Sequence, residues 1–284
     1  MIVQLDNRKS IIDHCHCAED RLIGGSNCGN QFVKLPDRDL VVKFSRHVSS
    51  HEAKNQQKAY KIIDPNIVIV PRVHDFFVDD EGWGYMVSDF IRGKTIDHLP
   101  DSHIQRLANV LEHFRSITAD SAGSLGGDTN NLTISNVQQV EEWFNSRLFP
   151  DNGKVQFDTS LSVLFPPPRN VIWLDDDRIC LLDWASAGFY PRPLEFASLF
   201  FQEYHFSERL LNAISFGPGC DREEQQRICQ ALYNNERYSF GLRDILEGSS
   251  HQPADGISPL PLTPEPQNSQ TENDTVDGRE GDRY

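Results

Sequence analysis

Apolar and polar positions change period several times along the chain. Asn7 to Asp20 spaces its apolar residues at helical intervals and predicts a short amphipathic helix. From Arg21 the pattern becomes strand, glycine turn, strand in RLIGG, SNCGN and QFVKL, and LVVKF adds another strand. Ser49 then opens a helix, HEAKNQQKAYKII, with Glu52 three residues on at the capping-box position. PRVHDFFVDD and GWGYMVSDF predict two more strands joined by an acidic glycine turn. The first third of the chain is therefore expected to be a five-stranded antiparallel sheet with one inserted helix.

After Gly93 the period becomes helical. Ile104, Leu107, Leu111, Phe114 and Ile117 keep one helical face, as do Val137, Val140, Phe144 and Leu148. Between them DSAGSLGGDTNN is a glycine-rich polar loop, either substrate-facing or a plain connector. Asn170 begins a β-hairpin, NVIWL, DDDR, ICLLDW, and helical stretches run from about Leu194 to Leu246. Past Gly248 the chain turns to Pro, Ser, Asn, Asp and Glu, a composition that predicts an acidic disordered tail. The fold class expected is α+β, with a small antiparallel-sheet lobe over residues 1–92, a mainly helical lobe over 93–247 and the tail over 248–284.

Composition narrows the classes. With 284 residues, 38% of them hydrophobic, there is enough apolar material for a real core. A formal net charge of -15 argues against a nucleic-acid surface, which needs a basic footprint. No apolar run approaches membrane-spanning length and MIVQLDNRKS lacks a signal-peptide core, so a soluble cytoplasmic protein is expected. Six cysteines in that compartment should be mostly reduced.

Four positions invite a metal reading: His14, Cys15, His16 and Cys17. They are consecutive, so their side chains diverge in a helix or a strand, and the plain structural reading is preferred. The turn from Gly25 through Ser26 and Asn27 to Gly29 could bring backbone N–H groups close to a phosphate, or simply close a hairpin. Lys43 stands in an apolar strand, where its charge needs water at the strand edge or an anionic partner. Glu52 could be that partner, or it could bond back to its own helix start.

The order of these elements resembles the protein-kinase-like bilobal fold. The wording GGSNCGNQ, VVKF, NQQKAY, VPRVHDFF, PRNVIWLDD and LLDWASAGFYPR resembles the aminoglycoside phosphotransferase family, and its fungal members in particular, from roughly Asp20 to Phe240. That resemblance implies ATP and Mg²⁺ as cofactors and a small-molecule hydroxyl as acceptor. It implies that Lys43 holds the α and β phosphates, that Glu52 orients Lys43, and that Gly25, Ser26, Asn27 and Gly29 belong to the turn over the phosphates. Ser88, Asp89 and Phe90 would form the hinge that binds adenine, and Asn170 with Asp183 would bind the metal.

One part of the family pattern is missing. The kinase-like loop places its catalytic Asp five residues before the metal-binding Asn, with a His two residues earlier still. Counting back from Asn170 reaches Phe165 and then Val163. The segment between the Leu161 to Leu164 strand and Pro168-Arg169-Asn170 is shortened by about three residues, up to roughly 10 Å of extended chain. Prolines cannot rebuild the loop, since each fixes φ and removes a donor. The expectation is therefore a phosphotransferase-like protein with an impaired base. The alternative is a nucleotide-binding pseudokinase or scaffold, in which FPPPR would serve a polyproline-reading domain if it were exposed.

Overall fold

A computed structural model of the chain describes residues 7–17, 22–25, 29–36, 38–96, 98–126, 135–157, 161–164, 170–200, 206–214 and 222–238. The chain divides into two units, Met1–Gly248 and Ser249–Tyr284, and all described residues belong to the first. Ser26, Asn27, the Phe165 to Arg169 segment and the acidic tail lie outside the described residues.

Helix α1 covers Arg8–His16, with Asn7 as N-cap accepting from the Ser10 amide. It ends at His16, earlier than Asp20, with Cys17 as its C-cap. Strands β1 (Leu22–Gly25), β2 (Gln31–Lys34) and β3 (Leu40–Ser45) follow, then helix α2 (Ser50–Ile62) and strands β4 (Val73–Val78) and β5 (Gly84–Asp89). They build one antiparallel sheet in the order β1-β2-β3-β5-β4. Alternation along β3 sorts its side chains between two faces. Val42 and Phe44 pack with Ile11 and Cys15 of α1. Lys43 therefore points to the opposite face, level with Phe32 on β2 and Met86 on β5. Met86 packs with Ala53 of α2, so α2 lies on the same face as Lys43.

The divergent His-Cys run resolves into packing. His14 bonds the Lys34 carbonyl at 3.3 Å, and His16 Nε2 lies 2.8 Å from the Tyr85 hydroxyl. Cys15 sits in the core, where burial pushes its thiol up to about 12.

The second lobe starts with helix α3 (Asp101–Ser116), whose Ile104, Leu107, Val110 and Phe114 enter the largest core. After the short strands β6 (Thr118–Ala119) and β7 (Gly123–Ser124) comes helix α4 (Val137–Asn145), and then strand β8 (Leu161–Leu164). The hairpin of β9 (Val171–Trp173) and β10 (Ile179–Leu181) forms as expected, and β11 (Gly188–Pro191) precedes helices α5 (Pro193–Phe200), α6 (Ser207–Ala213) and α7 (Arg222–Tyr238).

This lobe is mainly helical, as expected, and it holds a small sheet as well. A four-stranded sheet, ordered β6-β8-β11-β7, runs through it. Two of its strands are two residues long, too short to carry a period of their own, and they exist because β8 and β11 lie beside them. Gly188 makes this pairing possible: a Cβ there would stand 2.5 Å from the Gly123 carbonyl oxygen.

Candidate functional site

Lys43 is the centre of the site. Its side chain is 4% exposed as a residue, and Glu52 is 2% exposed. Lys43 Nζ lies 2.5 Å from Glu52 Oε1 and 3.2 Å from Asp183 Oδ1. Burial of a lone ammonium is costly, and here two carboxylates from distant segments neutralise it. Burial holds the Glu52 carboxyl above its usual range, and the Lys43 charge opposes that rise.

Of the two roles weighed for Glu52, its side chain takes the pairing with Lys43 and does not turn back to its helix start, where Ser49 makes the cap. Its amide donates to Ser49 Oγ at 3.3 Å, which caps α2 and contributes about 1 kcal/mol to the helix. Its carboxylate leaves the helix end and goes to Lys43.

Asp183 is placed by the hairpin. Leu181 pairs with Val171, and the Leu182 amide donates to the Asn170 carbonyl at 2.9 Å. The next residue thereby brings its side chain beside Asn170, and Asn170 Nδ2 reaches Asp183 Oδ2 at 3.4 Å. Asp183 has φ 62, the left-handed region that aspartate tolerates better than most residues. The turn is anchored beneath by Trp184, fully buried, whose indole N–H donates to the Leu181 carbonyl and whose ring meets Phe114 edge-on. The turn aims the carboxylate at Lys43 while the next side chain enters the core.

Asn170 and Asp183 supply a carboxamide and a carboxylate, hard oxygen donors suited to a Mg²⁺ ion that keeps waters and takes phosphate oxygens for its remaining places. Among the described residues no group of three His, Cys, Asp or Glu side chains gathers to hold a metal.

At the other edge, Ser88 is buried at the end of β5. The Asp89 amide donates to the Arg72 carbonyl, and the Phe90 amide donates to the Asp39 carbonyl at 2.9 Å. A base lying at this edge would be met by groups other than these two amides. The Asp89 carboxylate is held by the Arg72 amide and by His74. Gly25 pairs with Gln31 at the end of β1, and Gly29 opens the chain into β2; between them the turn lies outside the described residues.

Sequence reasoning assigned no role to Asn55, which is fully buried one helical turn after Glu52. Its side chain bonds the carbonyls of Trp184, Ala185 and Ala187 and accepts from Ser124 and Gly126. The available signal was weak: a polar residue on the same face of α2 as Glu52.

The fold has counterparts among known proteins. A thermostable mutant of the aminoglycoside phosphotransferase APH(4)-Ia matches with a TM-score of 0.54 at 14% identity, covering 80% of this chain and 87% of that one. A variant of the same enzyme, in ternary complex with ADP and hygromycin B, matches with a TM-score of 0.54 at 15% identity, covering 84% and 91%. The macrolide 2'-phosphotransferase MphH from Brachybacterium faecium matches with a TM-score of 0.50 at 15% identity, covering 85% and 94%. A search of curated protein sequences finds no significant match. These likenesses establish a bilobal kinase-like fold. The sequence profile of the phosphotransferase enzyme family (APH) matches residues 23–164, from β1 to the end of β8, and the chain belongs to that family.

Proposed function

We propose that this protein binds Mg·ATP and is built to transfer the γ-phosphoryl group to a hydroxyl of a small molecule, with the transfer step impaired. The observation that carries the reading is the Lys43 ammonium, buried and shared between Glu52 of α2 and Asp183 of the turn after β10. Lys43 holds the α and β phosphates, and Glu52 keeps its ammonium directed at them. Asn170 and Asp183 would hold Mg²⁺, which would supply positive charge against the transferred group. The turn around Gly25 to Gly29 covers the phosphates, and Ser88 to Phe90 borders the adenine. Residues 1–92 act as the nucleotide lobe and 93–247 as the acceptor lobe. Nucleotide complexes among the structural relatives support this reading.

In the transfer, the acceptor oxygen bonds to the γ-phosphorus as the bond to the β,γ-bridging oxygen breaks and ADP leaves. The acceptor proton then needs a base within hydrogen-bond reach. Phe165 occupies the base position by sequence count, and phenylalanine accepts no proton. Transfer is therefore slow, with solvent taking the proton.

A second reading follows from the same residues: a pseudokinase or scaffold whose output is its nucleotide-bound form, in which FPPPR at residues 165–169 would serve a polyproline-reading domain if it were exposed.

Thermal melts of wild type and Lys43→Ala, with and without Mg·ATP, test the reading. Wild type should gain about 2.7 kcal/mol at a hundredfold excess of nucleotide over Kd, and the variant should gain far less. Identical wild-type melts at saturating Mg·ATP would remove the nucleotide site. Product analysis with radiolabelled ATP separates the two readings, since only the first yields slow phosphorylation or hydrolysis.

A further inference from the structure

Helix α2 carries three buried polar side chains, Glu52, Asn55 and Gln56, of which Glu52 and Asn55 stand one turn apart. Glu52 faces Lys43. Asn55 faces the segment that follows Asp183, and its bonds saturate it. Oδ1 accepts from Ser124 Oγ and from the Gly126 amide, both at 2.7 Å. Nδ2 lies 2.9 Å from the Trp184 carbonyl oxygen, 3.1 Å from that of Ala187 and 3.2 Å from that of Ala185. His51 Nε2 lies 3.4 Å from the same nitrogen, so two N–H groups are shared among three carbonyls and a ring nitrogen. The amide orientation is fixed by this network, because the Gly126 N–H can only donate and the three carbonyls can only accept.

The approach of Gly126 to α2 is as specific. A Cβ on Gly126 would stand 2.8 Å from the Lys54 carbonyl carbon and 2.9 Å from the Asn55 nitrogen. Asn55 therefore ties three chain segments together: α2, the strand β7 region and the turn that begins at Asp183. The Leu125 amide donates to the Ala187 carbonyl at 3.0 Å and closes the ring of contacts.

We infer that Asn55 is a positioning residue of the phosphoryl-transfer site, a latch that holds α2, and with it Glu52, in register with the Asp183 turn. The purpose of the latch rests on the phosphotransferase reading; the latch itself rests on geometry alone. Without it Glu52 and Asp183 sit on elements free to shift separately, and Lys43 cannot serve both. The latch should act on the metal-binding half of the site, since Asp183 is the group whose turn it holds, and leave the Lys43 contact to phosphate nearly intact.

The test uses the full chain with Asn55→Leu, which has no polar atoms, and Asn55→Asp, which keeps the shape and the acceptors but loses both donors. Backbone hydrogen exchange is followed in the nucleotide-free protein, and ATP affinity is measured with and without Mg²⁺. Both variants should speed exchange across 184–188 by about tenfold or more while β3 and β5 stay protected. Both should lose about tenfold or more of the Mg²⁺-dependent gain in ATP affinity, with Mg²⁺-free affinity changed less than about twofold. Ser124→Ala, which removes one of the two bonds to Oδ1, should raise exchange at 184–188 by about two- to fivefold, and it decides the matter if neither Asn55 variant folds. Unchanged exchange at 184–188, or a uniform rise over the whole protein, overturns the latch and leaves Asn55 as core filling. If wild type binds no ATP at all, the phosphotransferase reading falls, and exchange still decides the latch.

Discussion

Lys43 Nζ stands 3.2 Å from Asp183 Oδ1 although the two residues are 140 positions apart, and the same nitrogen lies 2.5 Å from Glu52. One buried cation is thus shared between a helix carboxylate and a turn carboxylate. A change at any of the three is felt by the other two, because Lys43 and Glu52 are nearly sealed from solvent and the low local dielectric strengthens their coupling.

Lys43→Met keeps the length of the side chain and removes its charge, leaving Glu52 buried beside no cation. The expected loss is about 3–5 kcal/mol of stability. Glu52 is already held above its usual range by burial, and it rises further once Lys43 is gone. A carboxyl raised in the folded state contributes stability at low pH that is lost as pH rises through its folded pKa. Urea melts should therefore show a smaller gap between variant and wild type at pH 6 than at pH 8. An equal gap at both would mean that lost packing, not the stranded carboxylate, sets the cost.

Asp183→Asn keeps a residue that tolerates the φ of 62 and removes the anionic oxygen. ATP should still bind without Mg²⁺ through Lys43, and added Mg²⁺ should no longer improve binding. Titration calorimetry with and without the ion checks this. A variant that keeps the full Mg²⁺ effect would take Asp183 out of the metal site.

Arg115 of α3 meets Glu195 of α5 at 2.9 Å, both nearly sealed from solvent. Burial lifts the Glu195 carboxyl from 4.5 to about 7, with Arg115 opposing the rise. The folded state therefore binds that proton more tightly than the unfolded chain, and the associated stability, full below pH 4.5, is lost as pH rises to about 7. Between pH 6 and pH 8, wild type should lose about 1 kcal/mol relative to Glu195→Gln. Denaturant midpoints of the pair at the two pH values measure it, and parallel curves would mean that Glu195 stays ionised throughout.

Replacing Phe165 to Pro167 with a full-length His-x-Asp segment should restore ATP turnover, first as hydrolysis, by about 10²- to 10⁴-fold and with little change in nucleotide affinity. The same loop with Asn in place of Asp should restore little of the rate, which separates the carboxylate from the length of the loop. Turnover of about 1–100 per second by the unmodified protein would place the base elsewhere, in Asp158 or in the loop from Gly123 to Asp128.

Part of the site was legible because its signals are local. Lys43 stands out as a charge inside an apolar strand, and Glu52 as the third residue of a capped helix. The β9–β10 hairpin is written in its own alternation and acidic turn, so the neighbours Asn170 and Asp183 follow from register once the hairpin is drawn. Asn55 was not legible, for within its own helix it meets only His51 Nε2, at 3.4 Å, and its other partners lie 69 to 132 positions away. Nor were the strands β6 and β7, whose two residues each pair only because a longer strand runs beside them.

The sequence by itself determined the sheet with its inserted helix, the capped start of α2, the hairpin and the apolar stripes of α3 and α4. Periodicity, capping and turn chemistry act between residues a few positions apart, and they are readable for that reason. Only the tertiary structure decided that Lys43 answers to two carboxylates, that Asp183 adopts a left-handed turn over buried Trp184, that Arg115 meets Glu195, and that Asn55 joins three segments. Those choices are made when water is expelled, because a buried donor or charge must then find its partner wherever packing has brought one, however distant in the chain.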